Sequence, residues 1–181
     1  MITSQENLMV PENREIKKNT EDENTNFSTS WLSVQSASQR YLIPLSESGP
    51  VIPQTSIIKI PHAKPWFSGV INISGRIYGV VDLLEFLASC QPYTKGKRPN
   101  YFYDTKPSFI GFHHASGLNT VLGVEKVLGI QHANALKKAP ALSSVSAPFL
   151  GECYTDSEGK AWQEIKLMQL AHSRAFQSIE L

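Results

Sequence analysis

Short runs of β-branched and aromatic residues alternate along the chain with breaks rich in glycine and proline. Closely spaced runs of this kind are typical of strands in antiparallel sandwiches or barrels. A parallel sheet would need helical patterns of about 10–15 residues between its strands, and no such pattern separates these runs. The sequence therefore predicts a mainly β fold. The predicted strands cover residues 31–35, 40–45, 56–60, 69–73, 77–81, 108–114, 120–124 and 125–130.

Turn signals join several of these runs. Residues 37–40 can form the turn of a first hairpin, and Ser74-Gly75 is predicted to join two core strands in another. Pro44 lies inside an otherwise good strand. Because proline cannot donate to a β-ladder, this strand is predicted at a sheet edge.

Two short helices are predicted. Asp82 can accept a hydrogen bond from a free backbone N–H at a helix start, with Glu85 three residues later as in a capping box. The apolar residues that follow suggest that this helix closes one end of a sheet or barrel. A second helix is predicted over residues 166–178. Its apolar face consists of Leu167, Leu170, Ala171 and Ala175.

The composition limits the class of protein. A chain of 181 residues suits one compact domain or two small lobes that share a core. No run approaches the roughly 20 apolar residues that a helical membrane span needs. The 17 basic and 16 acidic residues give a net charge of +1, so the overall charge does not favour a nucleic-acid binder.

The first 27 residues differ from the rest of the chain. They contain six acidic and three basic residues, and their longest apolar run is Leu8-Met9-Val10. We expect a disordered acidic tail over 1–27, because this composition buries too little apolar surface to offset the cost of ordering. The alternative is a short partner-binding helix around residues 2–10.

The same segment lacks the pattern of a signal peptide, so we expect the protein in the cytoplasm. Cys90 and Cys153 are then expected to be free thiols with a structural role.

A long polar loop is predicted over residues 91–107. It separates two β-rich parts, about 28–90 and 108–150, and a C-terminal return follows over 151–181.

This loop carries the strongest basic cluster of the chain. Lys95-Gly96-Lys97-Arg98 is followed by aromatic residues at 101–103 and by Lys106. Basic and aromatic residues on a barrel loop can bind single-stranded nucleic acid by stacking and phosphate contacts. A nucleic-acid-binding barrel that uses residues 95–106 is therefore the alternative function. The near-neutral net charge of the whole chain instead favours a solvated loop, and no nucleic-acid partner is expected.

The sequence contains no pattern typical of catalysis or metal binding. Its five histidines lack zinc-site spacing, and neither a nucleophile elbow nor a P-loop is present. His113 and His114 are predicted to point to opposite faces of a strand. We expect no enzyme activity, no cofactor and no metal. A small enzyme that uses Cys153 or His113 would instead require a group with a shifted pKa in a pocket.

Residues 61–87 resemble the central motif of the CheW-like family. The family pattern is a proline-marked approach, then G-V-x-N-x-R-G, a short strand and V-x-D-L, and this chain matches it at seven positions. The matching residues are Gly69, Val70, Asn72, Gly75, Val81, Asp82 and Leu83. Residues 121–129 are similar to the later strand pair of the family, and the resemblance covers about 30–180.

Further details resemble the PilI-like branch, the adaptors of type IV pilus chemosensory systems. They include Pro65-Trp66-Phe67 before the glycine, Tyr78 before Gly79, and a C-terminal pattern with Trp162.

The resemblance implies two intertwined five-stranded SH3-like β-barrels around a shared core. It also implies a non-enzymatic adaptor between the cytoplasmic tip of a methyl-accepting chemoreceptor and the regulatory domain of a CheA-type histidine kinase. The signalling system formed by these three proteins would control type IV pili and twitching motility. The protein would not insert into the membrane and would reach it only through receptor arrays.

The motif also supplies the candidate site residues. Trp66 is either a core aromatic residue or an interface anchor. Asn72 is expected to satisfy backbone groups of the turn or to touch the receptor. Asp82 is expected to cap the helix or to pair with Arg76. Ser74 replaces the arginine of the family pattern, and an arginine fork makes charge-assisted bonds that serine cannot make.

Gly69 and Gly75 are expected to have a structural role, since glycine permits backbone angles that other residues avoid. Arg76 would face the same side as residue 74 in a regular strand.

Overall fold

The computed structural model describes residues 29–53, 55–90, 106–141 and 147–180. The strands are β1 (Ser30–Ser36), β2 (Gln39–Pro44), β3 (Ser48–Ile52), β4 (Phe67–Ile73), β5 (Arg76–Asp82), β6 (Ser108–Phe112), β7 (Thr120–Val124), β8 (Lys126–His132), β9 (Leu136–Ala139), β10 (Leu150–Asp156) and β11 (Ala161–Ile165). The α-helices are α1 (Leu83–Ser89), α2 (Leu167–His172) and α3 (Arg174–Gln177), and two short 3-10 helices cover His114–Ser116 and Ala133–Ala135.

The strands form two sheets, so the prediction of a mainly β fold is confirmed. The first sheet has six strands in the order β8-β1-β2-β11-β10-β9, one more than the resemblance implies, and the second has five in the order β3-β6-β7-β5-β4. Each sheet takes strands from both sides of residues 91–105. The two β-rich parts of the sequence are therefore interleaved rather than forming one sheet each.

Most neighbouring strands are antiparallel, and two pairs are parallel. β11 pairs with β2, and β5 pairs with β7, each in parallel register. These two pairs bring segments from distant parts of the sequence together.

Three apolar clusters fill the fold. The central cluster takes side chains from both sheets and from all three helices, including Val34, Leu122, Phe86, Leu170 and Phe176. A smaller cluster lies against the opposite face of the five-stranded sheet, and another lies against the opposite face of the six-stranded sheet. Both sheets thus bury apolar side chains on both faces, which explains why several strands read as nearly continuous apolar runs.

The sequence located seven of the eleven strands and misplaced or missed the others. Over the predicted strand 56–60, only Ile58 pairs, as an isolated bridge to Val70. On the other side of β4, the register with β5 shifts between Phe67 and Gly69, which marks a β-bulge. The sequence missed β3, β9, β10 and β11, in which polar residues dilute the strand pattern.

The edge position predicted from Pro44 is wrong. β2 lies inside the six-stranded sheet, between β1 and β11. Its register with β11 covers Tyr41 and Leu42 only, so Pro44 at the strand end is not required to donate there.

The helix predictions are confirmed in part. α1 begins after Asp82 and buries Leu83, Phe86 and Leu87, as expected for a helix that closes a sheet. The predicted helix over 166–178 is interrupted at Ser173, which is extended and caps α3. Ala175 is consequently exposed.

The predicted arrangement of the paired histidines is wrong. β6 ends at Phe112, and His113 caps the short helix His114–Ser116. The two rings therefore lie on the same side, with centroids 4.0 Å apart.

Several predictions concern residues that lie outside the described part of the chain. They are the acidic tail over 1–27, the alternative helix around 2–10 and most of the loop 91–107, including Lys95-Gly96-Lys97-Arg98. Lys106 is described and is exposed.

Candidate interaction site

The β4–β5 hairpin ends in a tight two-residue turn. Ile73 pairs with Arg76, so Ser74 and Gly75 form the loop. Their φ angles are +51° and +83°, and two positive values identify a type I′ turn, which matches the twist of the flanking strands. The Asn72 side-chain oxygen accepts the Gly75 N–H at 2.9 Å. Asn72 thus satisfies a backbone group of the turn, one of the two roles expected for it.

Gly69 lets a neighbouring segment approach β4. It has a φ of +135°, and a Cβ atom here would collide with the carbonyl oxygen of Ile58. Ile58 and Val70 exchange two backbone hydrogen bonds, both 2.8 Å long. The absence of a side chain at position 69 therefore allows Ile58 to pair with the hairpin.

This pairing creates an apolar outer surface on the hairpin. Ile58 lies opposite Val70, and Asn72 lies opposite Ile77. Residues directly opposite in an antiparallel pair project from the same face, as do alternate residues of one strand. Ile58 and Ile77 are 61% and 52% exposed. We call the surface formed by Ile58, Val70, Asn72 and Ile77 the hairpin face.

Two exposed basic residues lie close to the hairpin face in the sequence, Arg76 after the turn and Lys59 after Ile58. Arg76 lies opposite Ile73 and therefore projects from the other face of the hairpin. Exposed apolar residues that share one face are typical of a surface that binds another protein.

Trp66 anchors the base of the hairpin in the core. It is 3% exposed, and its ring packs edge-on against Phe86 of α1 at 5.2 Å between centroids. It also stacks on Phe176 of α3 at 6.3 Å. Its buried position favours the core alternative over that of an interface anchor.

Asp82 links the hairpin to α1. Its carboxylate accepts the Glu85 N–H at 3.0 Å, which is the predicted helix cap. Burial raises the pKa of Asp82, although the backbone hydrogen bonds oppose the rise. Arg76 lies at the other end of β5, about 20 Å away for six strand residues, so the alternative of an ion pair between them is wrong.

The structure thus divides the candidate residues into two groups. Asn72, Ser74 and Arg76 lie together at the exposed end of the hairpin, while Trp66 and Asp82 lie at its inner end. Sequence reasoning missed Ile58 and Ile77. The positions of Val70, Asn72 and Ile77 on either side of the turn could have indicated that they share one face. No sequence pattern indicates that Ile58 pairs with Val70.

A second unpredicted feature is a buried carboxylate in the six-stranded sheet. Glu164 is 8% exposed and accepts the Trp31 indole N–H at 2.7 Å and the Glu152 backbone N–H at 3.2 Å. A Cβ atom on Gly151 would collide with this carboxylate. Each carboxylate oxygen thus accepts a hydrogen bond, and the group links β1, β10 and β11, which indicates a structural role.

The thiols and acids of the described residues form no chemical centre. Cys153 is buried and donates to the Gln163 side-chain oxygen at 3.0 Å. Burial raises the pKa of the Cys90 thiol, which disfavours the reactive thiolate. Within the described ranges, no group of three histidine, cysteine or acidic side chains is placed to hold a metal ion. The helices of that part of the chain also lack the length and apolar character of a membrane span.

Comparison with known proteins agrees with this architecture. The model of the CheW-like domain family matches residues 30–175. Protein PilI of Pseudomonas aeruginosa is 32% identical over 59 residues, and this match spans 32% of the chain and only 33% of that relative.

A solved structure shares the fold. The scaffolding protein TtCheW from Thermoanaerobacter tengcongensis superposes with a TM-score of 0.59 at 20% identity, over 82% of this chain and 95% of that one. The fold implied by the sequence resemblance is confirmed.

Proposed function

Because the chain belongs to the CheW-like domain family, we propose that it is a non-enzymatic adaptor. In this proposal it couples the cytoplasmic tip of a chemoreceptor to the regulatory domain of a CheA-type histidine kinase. It acts in the cytoplasm, as one domain over residues 28–181. Its output controls type IV pili and twitching motility, and the partial similarity to PilI supports this assignment.

The hairpin face carries the proposal. Ile58 and Ile77 expose large apolar side chains on a surface whose shape is fixed by a type I′ turn and by the close approach at Gly69. Exposed apolar residues on a rigid scaffold favour binding to a protein partner. We assign the kinase regulatory domain to this face, and Asn72, Ser74 and Arg76 lie at its end.

An adaptor of this kind works through binding energies alone. It can change kinase activity only if its contacts differ in free energy between two kinase states. The described residues offer a rigid hairpin for such contacts, because Trp66 and Asp82 fix its inner end to α1.

The test is calorimetric titration of the full chain against the isolated regulatory domain of the CheA-type kinase from the same organism. We expect micromolar or tighter binding. Ile77→Asp should weaken it by at least about tenfold, since a charge in the centre of an interface must be desolvated. Ile130→Asp is the matched control, because Ile130 is 55% exposed on another strand, β8.

Three results would decide the assignment. Normal binding by Ile130→Asp with a large loss for Ile77→Asp supports the hairpin face. Equal losses for both variants would contradict that face. No binding by the folded wild-type chain would overturn the kinase-coupling role.

The same titration with the receptor tip tests the substitution at position 74. Ser74→Arg should strengthen binding if the receptor presents carboxylates to the hairpin end, because a guanidinium forms charge-assisted bonds that a hydroxyl does not. Unchanged affinity would indicate that the receptor binds elsewhere.

A further inference from the structure

The segment that supplies Ile58 to the hairpin face is joined to two different parts of the molecule. At its beginning, Ile58 and Val70 exchange two backbone hydrogen bonds. Near its end, Ala63 lies opposite Glu180 in an antiparallel bridge. The residues between these two attachments, 59–62, are exposed. We call residues 58–64 the strap.

The second attachment involves residues 178–180, which we call the C-terminal segment. The Lys64 N–H donates to the Ile179 carbonyl at 2.9 Å. The Lys64 ammonium group also donates to the Ser178 hydroxyl at 3.3 Å, across 114 residues of sequence. The strap thus connects the hairpin face with a part of the chain that is remote in sequence.

His62 makes the conformation of the strap depend on these attachments. Its φ angle is +58°, in the left-handed region that residues other than glycine rarely adopt. Such a conformation persists where the surrounding contacts hold it in place. The pairing at Ala63 and Lys64 provides those contacts immediately after His62.

Ile58 needs support on both sides, because it is 61% exposed and forms an isolated bridge. On one side, Ile57 packs against the smaller apolar cluster of the five-stranded sheet. On the other side, the strap leads to the C-terminal segment. Release of that segment would leave Ile58 supported from one side.

The C-terminal segment itself is held through α3. This helix buries one side chain, Phe176, whose ring centroid lies 5.3 Å from that of Phe86 and 5.6 Å from that of Phe112. The four residues that follow, 177–180, are exposed. A segment with so little buried surface opens at a low cost in free energy.

We propose that the C-terminal segment positions Ile58 within the hairpin face. While the segment is paired with the strap, Ile58 stays opposite Val70 and its side chain extends the apolar surface. When the segment is released, Ile58 leaves the face, and the β4–β5 ladder and its turn remain. This inference rests on the proposed function, because it treats the hairpin face as a binding surface.

The coupling acts in both directions. A partner that binds the hairpin face favours the paired C-terminal segment, and the paired segment favours that partner by the same factor in affinity. A second protein that captured residues 178–180 would therefore weaken binding at the hairpin face. The site for such regulation lies outside the face itself.

A disulfide between the strap and the C-terminal segment tests the proposal. The hydrogen bond from Lys64 to Ile179 flanks the pair of Ala63 and Glu180, which makes it a non-hydrogen-bonded pair. The Cα atoms of such pairs are about 4.5 Å apart, within the range of a disulfide. Ala63→Cys/Glu180→Cys should therefore form the bond without a change of fold.

The reduced form of this variant is the matched control, because the two forms differ only in the disulfide. Mass spectrometry verifies that Cys90 and Cys153 remain thiols. In amide hydrogen exchange measured by NMR, the N–H groups of Ile58 and Val70 should exchange at least about threefold more slowly in the oxidised form. The N–H of Ile71, which is directed toward β5, should exchange equally in both forms.

A second variant loosens the C-terminal segment from a distance. The Ser173 hydroxyl accepts the Phe176 N–H at 3.3 Å at the start of α3. Ser173→Ala should make the amides of Ile58 and Val70 exchange about two- to fivefold faster, through the loss of this cap. Ser116→Ala is the control: its hydroxyl accepts an N–H at 3.2 Å between β6 and β7, and its loss should leave these rates unchanged.

Two exchange results would overturn the proposal. One is equal exchange of the Ile58 amide in the oxidised and reduced forms. The other is a uniform increase at Ile58, Val70 and Ile71 in Ser173→Ala, which would indicate a general loss of stability.

Titration with the kinase regulatory domain separates this inference from the proposed function. The oxidised form should bind at least about twofold more tightly than the reduced form, because Ile58 is already in place. Equal affinities would overturn the positioning role in binding. Absence of binding by the wild type would overturn the proposed function, whereas the exchange rates, measured without a partner, would still decide whether the C-terminal segment positions Ile58.

Discussion

Asp82 combines two opposing effects at one position. As a helix cap it accepts the Glu85 N–H, and as a largely buried acid it has a pKa above the ordinary value. The cap favours the folded state whether the acceptor is charged or neutral. Burial disfavours only the charged form.

This conflict predicts opposite effects of two substitutions at position 82. Asp82→Ala removes the cap and should cost about 1 kcal/mol of unfolding free energy. Asp82→Asn keeps an acceptor and removes the ionisation. In the wild type, the raised pKa of Asp82 in the folded state contributes stability that is fully present below 3.8, the value for the unfolded chain. This contribution is lost as the pH rises through the pKa of the folded state.

Asp82→Asn should therefore gain stability relative to the wild type between pH 4 and pH 7. Urea unfolding at both pH values measures this difference. A relative stability that is constant with pH, or that falls as pH rises, would contradict the raised pKa.

The hairpin and α1 show what a sequence can reveal at the scale of residues and their neighbours. Gly75 and Asp82 act within three residues of their partners, so the turn and the helix start were predicted correctly. Glu164 depends on Trp31, 133 residues earlier, so a buried carboxylate in a strand was not predictable. The position of Ile58 likewise depends on its close approach to Gly69, and no local sequence pattern predicts that contact.

At the scale of elements, the two glycines of the β4–β5 hairpin are required for different reasons. Gly75 has a positive φ but open space around its Cα, whereas Gly69 has a positive φ and the Ile58 carbonyl against it. Backbone strain applies to both positions, and a steric collision applies to Gly69 alone.

Alanine substitutions should separate these causes. Gly75→Ala should cost about 1–2 kcal/mol of unfolding free energy from backbone strain. Gly69→Ala should cost more, because it must also break the two hydrogen bonds between Ile58 and Val70. Denaturant unfolding gives both values, and amide exchange at Ile58 should increase in Gly69→Ala only. Equal costs with an unchanged Ile58 amide would contradict the steric role.

At the scale of the whole molecule, the central cluster makes the two sheets interdependent. It contains Val34 of the six-stranded sheet, Leu122 of the five-stranded sheet and Phe86 of α1. Each sheet also contains strands from both sides of residues 91–105. A sheet cannot lose its strands without exposing the core of the other.

The protein should therefore unfold in a single transition. The three tryptophans report on the central cluster and on the six-stranded sheet, and far-UV circular dichroism reports on both sheets. Gly75→Ala, a change in the five-stranded sheet, should shift the fluorescence and dichroism midpoints equally. Two separate midpoints, or a shift in dichroism alone, would show that the sheets unfold independently.

The parallel pairing of β2 with β11 has a consequence for the order of events during synthesis. β1 and β2 leave the ribosome more than a hundred residues before β11. At about 5–20 residues per second, the first hairpin waits roughly 6 to 24 s for its neighbour. During that time Trp31 lacks the Glu164 acceptor and β2 has an open edge. The nascent chain is therefore exposed to misassembly until β11, the last of the described strands, has been made, and holding chaperones should act on it in that interval.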